Sequence, residues 1–252
     1  MNYLAKRVVF IIVSVAILVV ATSFFNPSNN NKGKHRISVF FEDYVRDKYL
    51  KLDSGVYKNG FGQSYTVSRL RYYIGNIHLI KKDGTEGYSS SEYYLIDDAG
   101  PGSNIIELNV DQDDYSSINF IIGVDSIHNC SGIQTGVLDP TLGMFWAWNA
   151  GYVFFKMDGQ SPASKSTGNM LEFHIGGYKY PNNCIREINL NLAPKGIKKL
   201  SNDYSVITIK ADISKVFDAV NKIDFSMVST VSDFHNATTI ADNYKTMFSV
   251  IQ

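Results

Sequence analysis

From residue 35 onward, apolar and polar positions alternate in short runs. His35-Arg36-Ile37-Ser38-Val39-Phe40-Phe41 opens the pattern with a period of two, that of a strand with one face buried. Tyr65 to Ile80 keeps the same character but is too long for one flat strand, so a bend or bulge is predicted near Gly75. Lys82-Asp83-Gly84 is a turn signal, and Glu92 to Asp97 reads as the returning strand of a hairpin. Ile105 to Leu108, Ser116 to Asp125, Cys184 to Leu192 and Ser205 to Lys210 add strands, with Ile118, Phe120, Ile122 and Val124 on one face of the second. Ile213 to Val220 and Ala237 to Phe248 carry a helical pattern, the latter behind Asn236 as a possible N-cap. Too few helices separate the strands for parallel crossover connections. The predicted class is therefore mainly β, an antiparallel β-sandwich with a few short helices.

The pattern of the first 34 residues is different. Lys6 and Arg7 precede an uncharged run from Val8 to Phe25, roughly 18 residues, at the lower edge of what spans a bilayer as a helix. It is longer than the h-region of most signal peptides. Residues 1–25 are read as a signal peptide or an N-terminal membrane anchor helix, and residues 26–34 as a polar linker. Residues 35–252 form the folded domain. Both readings of the apolar run place that domain outside the cytoplasm, on the periplasmic side or beyond. Ala21-Thr22-Ser23 is the best cleavage site and a poor one, which favours retention in the membrane. No cysteine follows the run, so a lipoprotein anchor is excluded.

Composition refines this picture in three places. Acidic and basic residues balance at 24 each, so no excess of positive charge points to nucleic acid. The 16 Tyr and 15 Phe suit pleated, half-buried surfaces. In an oxidising compartment the two cysteines, Cys130 and Cys184, are expected to form a disulfide.

Candidate chemistry concentrates between Gly123 and Gly159. The first half is a loop rich in Gly, Asp and Asn. Asp125, Asn129 and Asp139 offer oxygen ligands there, but their spacing matches no EF-hand, and such residues commonly make turns. The second half is predicted as one long strand from about Met144, which would set Met144, Trp146, Trp148 and Tyr152 on one face. Further on, Leu171, Phe173 and Ile175 alternate with Glu172 and His174. A histidine beside a carboxylate is a candidate metal ligand. His78 sits among Ile77, Leu79 and Ile80, while His35, His128 and His235 fall in loops or at ends. HExxH, Walker A, GxGxxG and nucleophile-elbow motifs are all absent, and no enzyme is predicted.

Several blocks together resemble the MbnP-like copper-binding family. They are Val67-Ser-Arg-Leu-Arg-Tyr-Tyr-Ile-Gly-Asn-Ile77, Gly123-Val-Asp-Ser126, Leu138-Asp-Pro140, Gly143-Met-Phe-Trp-Ala-Trp-Asn-Ala-Gly-Tyr152, Phe173-His-Ile-Gly-Gly177 and Ala241-Asp-Asn-Tyr244. The resemblance implies an exported, mostly β bacterial protein that binds copper in copper homeostasis. It further implies a di-haem peroxidase of the MauG type as partner, and a tryptophan oxidised to kynurenine that holds copper with histidine. Carried over by residue, it marks Trp146 or Trp148 as the oxidised residue and His174 as the first ligand, with Met144 as a soft thioether on the same face. One departure stands out. Where relatives carry a first-strand histidine in a Phe-x-His context, this chain reads Phe40-Phe-Glu-Asp-Tyr44, with Glu42 or Asp43 at that place. A carboxylate is a poor ligand for Cu(I). His35, His78 or Asp43 would then have to complete a copper site. The alternative is an exported β-sandwich recognition module without metal.

Overall fold

The computed structural model describes residues 33–146, 151–192, 194, 196–232 and 236–251. The expected signal or anchor segment, Trp148 and His235 lie outside them. Among the described residues no helix is long and apolar enough to cross a membrane.

One compact unit begins at Lys34. Its strands are β1 (Lys34–Val45), β2 (Lys48–Tyr49), β3 (Tyr57–Lys58), β4 (Ser64–Lys81), β5 (Glu86–Asp97), β6 (Ile105–Asp111), β7 (Tyr115–Ile122) and β8 (Phe145–Trp146). They continue with β9 (Gly151–Gln160), β10 (Met170–Gly176), β11 (Arg186–Asn191), β12 (Lys198–Lys199), β13 (Tyr204–Asp212), β14 (Thr230–Val231) and β15 (Phe248–Ile251). The helices are α1 (Ser126–Cys130) and α2 (Ala237–Tyr244).

One sheet runs β12-β13-β1-β2, with β6 also on β1 and β15 also on β13. The other runs β11-β7-β4-β9-β10-β14, with β3 and β5 also on β4 and β8 on β9. The mainly β architecture is as predicted, but the sheets are mixed. β1 pairs β13 in parallel and β10 pairs β14 in parallel. Both parallel pairs join segments far apart in sequence, which local turn signals do not report.

The alternation read from the sequence is the alternation of burial. Ile37, Val39 and Phe41 on β1, Ile118, Phe120 and Ile122 on β7, and Leu171, Phe173 and Ile175 on β10 are all buried. Between the sheets, Phe41, Phe120 and Phe248 meet edge to face, with ring centroids 5.2–6.2 Å apart. Edge-to-face geometry suits the ring quadrupoles and adds about 1 kcal/mol per pair beyond burial.

The long strand β4 explains how the second, nine-stranded sheet is organised. β5 occupies one flank of β4 from Arg71 to Ile80. β9 and β7 therefore share the other flank, β9 opposite Thr66–Tyr72 and β7 opposite Ile74–Lys81. The predicted bend falls at this handover, where the register shifts between Gly75 and Ile77 and Asn76 has φ 49°. Glycine is needed there because a Cβ would run into the Tyr93 ring. Near the fork, Tyr244 of α2 sits 5.8 Å from the Phe155 ring and donates to the Cys184 carbonyl.

Four expectations are corrected. The long strand from Met144 is a hairpin: Phe145 pairs with Tyr152 and Trp146 with Gly151. Its arms therefore place Phe145, not Trp146, against Tyr152, with rings 5.1 Å apart. The predicted helix at 213–220 is a single 3-10 turn over Ile213–Val216. The last helix stops at Tyr244 and gives way to β15, and Asn236 precedes it in the left-handed region without a side-chain cap. Finally, Cys130 and Cys184 are free thiols. Cys184 points into the core, whereas Cys130 is exposed and donates to Tyr178 Oη over 3.4 Å.

Candidate functional site

β10 presents the principal candidate. Leu171, Phe173 and Ile175 face the core, so Glu172 and His174 project from the other side of the sheet. His174 Nε2 lies 2.6 Å from Asp158 Oδ1 on the adjacent strand β9. Arg69 on β4 approaches the other carboxylate oxygen at 3.8 Å. Burial disfavours the charged form of Asp158, but the His174 hydrogen bond and the nearby positive charges outweigh it. The carboxyl is held below its ordinary range. With Nε2 committed to a carboxylate, Nδ1 becomes the ring nitrogen for a further partner. A carboxylate behind an imidazole is the usual support of a metal-binding histidine.

Trp146 reaches the same strand. The register shift between β9 and β10 puts the extra residue on β9, so alternation on β10 continues and Gly176 shares a face with His174. A Cβ at Gly176 would fall 2.6 Å from Cζ3 of Trp146, so the indole lies directly over that glycine. Trp146 is 8% exposed and borders a cavity of about 270 Å³ together with Tyr178, Lys179, Tyr180 and Asn182. Met144, completely buried, accepts from Val153 N–H through its carbonyl at 2.9 Å.

Lys156 stands opposite His174 in the β9–β10 register. Its Nζ donates to the Gly143 carbonyl at 3.3 Å. Burial lowers its pKa and the neighbouring guanidinium groups of Arg69 and Arg71 add to this, against the pull of Asp158.

The remaining candidates do not converge on His174. Asp43 turns inward from β1 and accepts from Tyr72 Oη at 2.9 Å. His35 lies at the start of β1, with Nε2 2.8 Å from Ser205 Oγ. His78 is on β4, its Nδ1 2.5 Å from Glu86 Oε2. Among the described residues, no three His, Cys, Asp or Glu side chains come together as a metal-holding group. Asp125, Asn129 and Asp139 are engaged locally: Asp125 caps α1, Asn129 Oδ1 accepts from Tyr152 N–H, and Asp139 caps the turn that follows it.

Sequence reading missed two partners of this site. Asp158 follows the aromatic run at an ordinary polar position, and only the β9–β10 register brings it to His174. Gly176 gives no signal in one sequence that an indole covers it.

These features define a mainly β, two-sheet domain with a carboxylate-braced histidine and a sheltered indole on the outer face of one sheet. The chain belongs to the MbnP family, whose sequence model matches residues 34–238. Its fold is similar to that of MbnP from Methylosinus trichosporium, with a TM-score of 0.53 and 15% identity over 73% of this chain and 78% of that one. A search of curated proteins finds no match.

Proposed function

We propose that this MbnP-family domain is an exported copper-handling protein without catalytic turnover, and that His174 is the centre of its copper site. The observation that carries the reading is the His174–Asp158 pair, with the Trp146 indole over Gly176 two residues along the same strand. An imidazole braced by a carboxylate suits copper ligation. The sheltered indole is the residue that oxidation to kynurenine would convert, with a di-haem peroxidase of the MauG type as the partner for that step. The domain works outside the cytoplasm on this reading, delivered by residues 1–25 as leader or anchor. Copper is cargo here, taken up and passed on. A single braced imidazole predicts weaker retention than a site with two.

A second reading is a metal-free recognition module. It draws on the scatter of the other candidates, with Asp43 inside the sandwich and His78 and His35 each tied to separate partners.

Copper titration of the purified chain against a Cu(I) chelator separates the two. About one copper per chain, lost in His174→Ala, supports copper handling. Intact-mass and peptide mapping of natively expressed protein would place any oxidised tryptophan on Trp146 or Trp148. No uptake at micromolar copper, with or without tryptophan oxidation, leaves the recognition module.

A further inference from the structure

Residues 136–146 cross the outer face of the nine-stranded sheet as a strap. Tyr72 faces the space between the sheets, so its neighbour Tyr73 turns outward, yet Tyr73 is completely buried. The strap covers it. Side chains of the sheet hold the strap by its main-chain carbonyls. Tyr73 Oη donates to Val137 at 2.8 Å and Tyr152 Oη to Leu138 at 2.7 Å. Arg71 Nη1 donates to Leu142 at 3.0 Å and Lys156 Nζ to Gly143 at 3.3 Å. The chain turns at Gly143, with φ 73°, and three residues later the Trp146 indole lies over Gly176.

Arg71 and Lys156 belong to one cross-strand row. Asp97, Arg71, Lys156 and His174 stand opposite one another in turn on β5, β4, β9 and β10. Asp97 pairs with Arg71 at 2.8 Å and steadies the far end of the row. Lys156 is therefore the residue between the imidazole and the strap. It is in register with His174 along the sheet, and it holds the carbonyl that leads into Met144, Phe145 and Trp146. The two tyrosines anchor the beginning of the strap, whereas Arg71 and Lys156 anchor its last turn.

We propose that Lys156 is the positioning residue of the Trp146 indole. By holding the Gly143 carbonyl it seats the strap so that the indole reaches Gly176, on the strand that carries His174. Arg71 supports it, one carbonyl earlier. Imidazole and indole are then both referenced to β9, the first through Asp158 and the second through Lys156. A group held in place by the neighbours of its partner needs little reordering when the two act together. The bearing of this on copper handling rests on the proposed function. The positioning itself does not, and a test on metal-free protein lets the two fail separately.

The test is fluorine NMR of the full, metal-free chain in detergent micelles, with 5-fluorotryptophan in place of tryptophan. The Trp146 signal is assigned by its loss in Trp146→Phe. Its relaxation by a neutral, soluble gadolinium chelate reads how exposed the indole is. Lys156→Met should raise that relaxation about two- to fivefold, the weight of one solvent-facing charged donor. Lys156→Gln, whose amide is too short to reach Gly143, should give the same rise with the backbone amide spectrum otherwise intact. Lys156→Arg, which keeps a long donor, should restore the native value. Arg69→Met removes a charge from the same face; Arg69 pairs with Asp158 and not with the strap, so the signal should stay native. An unchanged Trp146 signal in Lys156→Met and Lys156→Gln, no rescue by Lys156→Arg, or an equal rise in Arg69→Met would each overturn the proposal.

Discussion

Replacing Asp43 with asparagine should stabilise the domain at neutral and alkaline pH and leave it nearly unchanged in acid. The Asp43 carboxyl is buried, its pKa pushed up from 3.8 to about 7 by burial first and by the charge of Asp98 second, with the Tyr72 hydrogen bond pulling the other way. A folded-state pKa above the unfolded one means that the folded protein holds the proton more tightly. The resulting stability is fully present below about pH 4 and is lost as pH rises through about 7. A shift of about three units at about 1.4 kcal/mol each sets the loss near 4 kcal/mol, a large share of a domain's usual 5–15 kcal/mol. Asparagine cannot ionise, and its Oδ1 can still accept from Tyr72 Oη, now 2.9 Å from the carboxylate. Its amide can face the cavity lined by Glu42, Asp98 and Asn104. The expected gain is about 2–4 kcal/mol at about pH 8 and close to zero at about pH 4. Urea unfolding of both proteins across that range measures it, and the difference between them isolates Asp43 from every other titrating group. Parallel stability curves at all pH values would refute the reasoning, because they would mean that the carboxyl is charged in the folded state without penalty.

Two further outcomes follow from other parts of the molecule. Cys130 is exposed, while Cys184 is buried with its thiol pushed up to about 12 by burial; one thiol should therefore react with a disulfide reagent in the native protein and the second only on unfolding, as counted by mass, and two unreactive cysteines would restore the disulfide. Gly75→Ala should destabilise the domain by about 1–3 kcal/mol, since its Cβ would displace the Tyr93 ring at the β4 bend, and thermal unfolding reads the loss directly; an unchanged midpoint would mean that the ring has room to move.

The sequence was most legible where a strand has one wet and one dry face. Leu171-Glu172-Phe173-His174-Ile175 shows which residues enter the core, and Gly75 marks the bend, because each signal depends only on neighbours in the chain. Reading failed where the local pattern continues through a change of direction. Met144 to Tyr152 keeps aromatic residues on both parities, so a period of two passes through the β8–β9 hairpin without a break. The helical period likewise runs past Tyr244, although the chain turns at Lys245 and pairs Phe248 to Ile251 with β13. The candidate site was half legible for the same reason. His174 and Trp146 stand out as residue types, but the carboxylate that braces one and the glycine that seats the other are set by strand register.

The opposite faces of the nine-stranded sheet decide which residues can share an ion. Asp43 faces the space between the sheets, where Tyr72 meets it and the Tyr72 ring lies 6.0 Å from Phe248. His174 projects from the side of β10 that turns away from that space. A sheet and its packed side chains stand between the two, so the carboxylate at the first-strand position cannot complete a set with His174. If His174 holds copper as proposed, its further ligands come from the outer face, where Lys156 stands opposite His174 and Arg69 approaches Asp158. Positive side chains on that face would oppose a further charge. Two observations reduce that opposition: Lys156 is drawn to the Gly143 carbonyl and its proton is loosened, and Asp158 keeps its negative charge beside the ring. Asp158 thus has two tasks on this reading, holding the tautomer of His174 and offsetting the charge of the arriving ion. A carboxylate held below its ordinary range is suited to both, because it keeps its negative charge at neutral pH.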